Sequence, residues 1–325
     1  MTWDRIRAVK GKFERFLLSR ANVVGVGIGK KIVRGKETDD PAVIVFVERK
    51  LPESQLKKKD IVPKTLEDVK TDVVETGRLR ALSAPATEAQ SRTDRWRPAL
   101  GGVSIGHFKV TAGTLGGVVR RGDERLILSN NHVLANENDA RRGDPILQPA
   151  PADRGGTDDT IARLDGFVEI RFDGGNAEPF LRRLANRLGL RPVAEPPPNF
   201  VDAAIAKPVG DNLVDDSILG LGTPSGVADA GVSEMMRKSG RTTGITSGRV
   251  LATEATVRVQ YGRDTATFAD QVVASPMSRG GDSGSLVLNE RNEVVGLLFA
   301  GSDTATVWNR SRRVMDALGI EFYTS

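Results

Sequence analysis

Cysteine is absent from all 325 residues. No disulfide staples this chain, and secreted proteins commonly rely on them, so a reducing compartment is expected. Histidine is almost absent as well, with only His107 and His132. Aromatic residues make up 5% of the chain and do not interleave with its scattered basic pairs as a nucleic-acid stacking platform would require. The formal charge of +5 is therefore assigned to solvated surfaces, with nucleic-acid binding kept as a rival class only. Long apolar runs are also missing. None approaches the roughly 18 residues of a membrane span. Met1 to Arg20 carries charges throughout and lacks the apolar centre of a signal peptide. These absences together lead us to expect a cytoplasmic protein without a membrane partner.

What is present suits a globular chain of two or three compact units: 39% hydrophobic and 27% charged residues, with 35 glycines breaking the apolar runs. Short strands and turns are favoured over long helices. Residues 3–19 predict an amphipathic helix through Ile6, Val9, Phe13, Phe16 and Leu17. Strands are expected at 23–33, 42–49 and 69–74, giving a small α+β domain over residues 1–80. The run Gly25-Val26-Gly27-Ile28-Gly29-Lys30 lacks the glycines of a nucleotide loop at the needed places. It is read as a glycine-bearing strand packed on the first helix.

Residues 81–99 lose periodicity and read as a linker, with Trp96 as a possible anchor. From residue 100 to 325 strand signals recur at short intervals, including 114–120, 126–128, 161–164, 167–172, 200–207, 248–252, 257–261, 269–274, 285–289, 293–299 and 304–308. That spacing argues for a barrel or sandwich. A helix is expected over 310–318, and an inserted one over 178–190, where Leu181, Leu184 and Leu188 share a face.

Amide hydrolysis by a hydroxyl needs a nucleophile, a base, an acid that orients the base, and donors for the developing oxyanion. Gly280-Gly281-Asp282-Ser283-Gly284-Ser285 supplies an accessible serine between small residues, and the N–H groups of Gly281 and Ser283 can form an oxyanion hole. His132 follows an apolar strand within Ser129-Asn130-Asn131-His132-Val133-Leu134, whereas His107 lacks such a setting and is read as a structural or surface residue. Asp202 lies in an apolar stretch, 199–206, where a carboxylate needs a partner such as a histidine N–H. Asp158, Asp159 and Asp165 are its rivals. No metal or cofactor is expected.

The order His132, Asp202, Ser283, with Asn-His-Val-Leu, Val-Asp-Ala-Ala-Ile-Ala and Gly-Asp-Ser-Gly-Ser around them, resembles the trypsin/chymotrypsin family over about residues 101–325. Gly143-Asp144-Pro145-Ile146-Leu147-Gln148-Pro149 and Lys238-Ser239-Gly240-Arg241-Thr242-Thr243-Gly244 look like its non-secreted bacterial members, and plant narrow-leaf-type proteases share the general look. The resemblance implies a mainly β fold of two six-stranded antiparallel barrels, about 100–210 and 211–309, with the triad between them. It implies a serine endopeptidase acting on a protein or peptide. It also places Met277 on the pocket floor and Phe299 and Gly301 along its wall, which suggests an uncharged P1 residue. Ala99-Leu100-Gly101-Gly102-Val103 only faintly resembles an activation site. The N-terminal domain, free of catalytic motifs, is expected to regulate activity or receive a regulatory partner. The main alternative is a silent barrel scaffold that binds proteins.

Overall fold

The computed structural model describes residues 1–33, 36–81, 91–173 and 197–324. The inserted helix expected at 178–190 and residues 82–90 of the expected linker lie outside the described residues.

Helix α1, Trp3–Leu18, opens with Thr2 accepting the Arg5 N–H and with Asp4 in its first turn. Its apolar face, Ile6, Val9 and Leu17, packs on Val26, Ile28, Val43 and Val45. These belong to β1, Val23–Val33, and β2, Lys36–Val47, an antiparallel pair extended by β4, Val69–Glu75, parallel to β2, and by the short β3, Thr65–Leu66. The glycines of β1 do not face the helix. They face away from it: a Cβ on Gly25 would sit 3.0 Å from the Thr256 carbonyl, and one on Gly29 would strike that of Leu251. Alternation along a strand sends valine and glycine to opposite faces. β5, Arg80–Ala81, ends this unit.

The first barrel follows. Its strands are β7 (Ser104–His107), β8 (Gly113–Thr114), β9 (Gly117–Arg121), β10 (Glu124–Ser129), β11 (Pro145–Leu147), β12 (Thr160–Phe167) and β13 (Ala204–Pro208). They pair antiparallel in the order β9-β10-β13-β12-β11-β7-β8. β8 and β9 are two halves of one path through Leu115 and Gly116, so six strand positions complete the ring. A parallel pair, β6 (Ala99–Gly101) and β14 (Val214–Ile218), bridges toward the second half. Past Phe167 the expected strand at 167–172 does not continue. Amides of Asn131, Asn138 and Asn199 bond to the backbone of Val168, Ile170 and Arg171 in place of a ladder.

After the short β15, Gly226–Val227, the second barrel uses β16 (Met235–Gly240), β17 (Gly244–Tyr261), β18 (Asp264–Ala274), β19 (Leu286–Leu288), β20 (Glu293–Gly301) and β21 (Thr306–Arg310). Pairing runs β16-β19-β20-β21-β18-β17 and returns to β16, which closes the ring. β17 is expected from sequence as two strands. It is one 18-residue strand whose first part pairs with β16 and whose later part receives β1, from Gly25↔Val257 to Gly29↔Ala252. The N-terminal sheet is thus continuous with the second barrel. Helix α3, Ser311–Leu318, buries Val314 and stops at the left-handed Gly319, and β22, Glu321–Phe322, returns to β9.

Candidate active site

β10 delivers Leu126, Ile127 and Leu128 to the core and ends at Ser129, and Asn130 leads into the single turn α2, Asn131–Leu134. His132 sits on that turn and is 4% exposed. Two asparagines brace the turn: Asn131 and Asn138 exchange hydrogen bonds of 2.7 and 3.0 Å, and Asn138 holds a left-handed φ of 78°.

Asp202 is fully buried. It lies in the extended run just ahead of β13 rather than inside the strand, which leaves its backbone free for side-chain partners. Its N–H donates to Asn309 Oδ1 at 3.0 Å and its carbonyl accepts from Asn130 Nδ2 at 2.7 Å. The carboxylate accepts from His132 Nδ1 at 2.6 Å, from the His132 backbone N–H at 3.3 Å and from the Tyr261 hydroxyl at 2.8 Å. A carboxylate accepts only, so the Nδ1 of His132 carries the proton and Nε2 presents a lone pair. That Nε2 is buried without a hydrogen-bond partner among the described residues. Two of the rival acids are engaged elsewhere: Asp165 with Arg121 and Arg142, Asp159 with Arg95.

Ser283 stands in the loop before β19, where Gly281 and Gly284 both take a φ of 95°. Glycine alone suits such a conformation. The loop is anchored to the first barrel: Thr114 donates its N–H to the Ser283 carbonyl and its hydroxyl to the Gly281 carbonyl, each at 2.8 Å. Gly113, beside it, lies between Val133 and the Ser283 carbonyl, so α2 and the serine loop meet there. The N–H groups of Gly281 and Ser283 have no acceptor among the described residues. Ser283 Oγ donates to the Phe299 carbonyl at 3.2 Å and makes no hydrogen bond to His132.

Asp282 points the other way, into the barrel. Its buried carboxylate accepts from the backbone N–H groups of Thr242, Thr243 and Arg279 at 2.9, 3.1 and 2.9 Å, from the Thr243 hydroxyl at 2.6 Å, and from Lys238 Nζ at 3.1 Å. Lys238 is itself fully buried, and that burial lowers its pKa against the opposing pull of Asp282. Arg241 reaches across to Asp153 of the first barrel, with Nε at 2.7 Å from Oδ2. The Lys238–Gly244 motif, noticed in sequence only as a resemblance, therefore holds the serine loop to both barrels.

His107 behaves as expected of a structural residue. It is buried in β7 with Nε2 at 3.1 Å from Asp144 Oδ2 and Nδ1 accepting the Lys109 N–H. The pocket expectation needs correction. Met277 packs with Val250, Leu298 and Trp308, and Phe299 with Phe268; both are core residues. Gly301 does line a cleft of about 670 Å³ beside the serine loop, together with Ser278, Arg279 and Gly280. Arg78 and Arg80, from the N-terminal unit, line it as well. The basis for an uncharged P1 residue disappears with Met277. Sequence reasoning missed Tyr261, Asn309 and Arg80, because each acts on the site from far along the chain and none sits in a recognisable motif; Lys238 opens a quoted motif, but its pairing with Asp282 is not written there.

Residues 4–74 match the NARROW LEAF 1 N-terminal domain family, and residues 113–297 match the trypsin-like peptidase domain family. Among solved structures, protease A of Thermobifida fusca is similar at 16% identity and a TM-score of 0.47, over 70% of this chain and 98% of that one. A chymotrypsin of Cellulomonas bogoriensis gives 16% and 0.46 over 70% and 98%. A glutamic-acid-specific serine protease gives 20% and 0.47 over 69% and 100%. No curated protein matches the chain. The peptidase match spans more than half of the sequence: the chain belongs to the trypsin-like peptidase family and is a serine endopeptidase.

Proposed function

We propose that the chain cleaves a cytoplasmic protein target with Ser283 as nucleophile, His132 as general base, Asp202 as its orienting acid, and the Gly281 and Ser283 N–H groups as the oxyanion hole. One observation carries this reading: Asp202 accepts the hydrogen bond of His132 Nδ1–H, leaving a buried, unpartnered Nε2. In the reaction Ser283 turns from the Phe299 carbonyl and gives its proton to Nε2 as Oγ bonds to the substrate carbonyl carbon. The carbonyl electron pair moves onto oxygen, where the two free N–H groups stabilise it. Its return breaks the C–N bond, and the proton on Nε2 leaves with the amine. Water gives a proton to the same nitrogen as its oxygen bonds to the acyl carbon; the bond to Ser283 Oγ then breaks and Oγ takes that proton back.

Ser283→Ala is expected to keep the fold and to lower turnover by about 10⁴–10⁶. Labelling by a fluorophosphonate probe should disappear in the same variant. A folded wild-type protein that neither labels nor cleaves denatured proteins would instead support the silent scaffold. A second reading concerns control. β5 pairs with β20 at Ala300↔Ala81 and Gly301↔Arg80, next to Phe299, whose carbonyl receives the Ser283 hydroxyl. This contact supports the view that the N-terminal unit restrains the site, alone or through a regulatory protein partner.

A further inference from the structure

Tyr261 ends β17, and its ring is 1% exposed in the core of the second barrel. It stands edge-on to His132, with ring centroids 6.0 Å apart, and is packed by Phe172 and Phe268. Its phenylalanine neighbours and the aliphatic side chains around them pack without any polar group, so packing alone does not require a hydroxyl here. A buried tyrosine hydroxyl needs a partner. This one donates to Asp202 Oδ2 at 2.8 Å, the same oxygen that accepts the hydrogen bond of His132 Nδ1–H. His132 and Asp202 both come from the first barrel and Tyr261 from the second. The bond therefore registers the acid–base pair against the half that carries Ser283.

We propose that Tyr261 is a positioning residue for peptide hydrolysis: its hydroxyl fixes the Asp202 carboxylate and shares the charge that Oδ2 presents to His132. The inference rests on the triad assigned above. Burial and the Asp202 charge hold the phenol pKa well above its ordinary value, so the hydroxyl stays a donor. Among the described residues, Glu137, in the turn after α2, acts on Tyr261 and is influenced by His132 and Asp202, and the exposed Asp264, at the start of β18, acts on Glu137. Both are retained in every variant below.

The chain has only two tyrosines, and Tyr323 is exposed near its end. A Tyr323→Phe protein grown on 3-fluorotyrosine thus carries a stronger donor at position 261 alone. Two quantities are read: the pH profile of fluorophosphonate labelling at Ser283, and the proton resonance of His132 Nδ1–H. In Tyr261→Phe, labelling is expected to slow about tenfold, the loss of one hydrogen bond to a charged group. The acid limb of the profile moves to higher pH and the resonance moves downfield, because Oδ2 no longer shares its charge. With fluorotyrosine both shifts reverse sign. A merely structural tyrosine would give lower stability with neither shift. Folded variants with unchanged profile and resonance, or shifts of one sign in both proteins, overturn the proposal. If Tyr261→Phe does not fold, the fluorotyrosine protein decides alone. If wild-type protein does not label, the triad assignment fails, and the resonance still decides whether Tyr261 acts on the Asp202–His132 pair.

Discussion

His132 and His107 each have a ring nitrogen on a carboxylate, Asp202 and Asp144, and differ in what the other nitrogen does. In His107 both nitrogens are engaged, Nε2 with Asp144 and Nδ1 with the Lys109 N–H. Burial lowers its pKa, and the neighbouring Asp144 only partly opposes that. The unfolded chain therefore takes up a proton first as pH falls below the ordinary value of 6.5. Stability contributed by the neutral form is present above 6.5 and is lost as pH falls from there through the depressed folded value. His107→Gln should shrink the drop in Tm between about pH 7.5 and about pH 5.5. An undiminished drop would assign acid sensitivity to other groups. His132 keeps Nε2 without a partner, which is the asymmetry a base requires. The sequence exposed this residue and Ser283 through local motifs. Asp202 was readable because a carboxylate in an apolar run is costly unless paired. Lys238 was not, since nothing around it announces that its ammonium is buried against Asp282 rather than solvated.

Among elements, the seam between β1 and β17 decides whether the N-terminal unit is an appendage or part of the sheet. Gly25, Gly27 and Gly29 let β1 lie close against β17, and a Cβ on Gly29 would also come within 2.9 Å of Ile44. Gly29→Ala should therefore cost about 2 kcal/mol in urea unfolding, within the usual range for overpacking. Gly11, in α1, has nothing within 4 Å of its would-be Cβ, so Gly11→Ala should instead gain about 0.5–1 kcal/mol. A neutral Gly29→Ala would mean that the seam is loose. β1 itself was legible to its ends, and the helix before it to within one residue, because both have regular apolar spacing, although Phe16 of the expected apolar face is exposed. β17 was split in two by the sequence reading because its register against β18 shifts between Val250 and Val257, breaking the two-residue alternation. The false strand at 168–172 has strand-like residues, but asparagine amides occupy the backbone groups that a neighbouring strand would use. Local pattern carries no information about such distant partners.

For the whole molecule, the second seam bears on regulation. β20 pairs with β21 on one side, and at Ala300 and Gly301 its other side is taken by β5. An extended peptide approaching Ser283 would gain backbone hydrogen bonds by adding to that edge. Residues 80–81 of the chain already hold it, and Arg80 lines the adjoining cleft. Simple truncation does not isolate this effect. Deleting the N-terminal unit exposes the β17 edge to aggregation. A start near Arg97 also removes Arg92, whose guanidinium bonds the Gly102 carbonyl and Ser239 Oγ. Ala81→Pro is cleaner, because it removes one backbone N–H and restrains Arg80 while leaving the β1–β17 seam whole. If β5 restrains the site, a protein whose edge is free about a tenth of the time should react about tenfold faster once released. The expected result is faster fluorophosphonate labelling of Ser283 in Ala81→Pro, with Tm lowered by no more than a few degrees. Cleavage of a casein substrate should rise in parallel. Equal rates in the two folded proteins would make β5 a passive part of the cleft wall, and slower rates would make it a part that substrate binding needs.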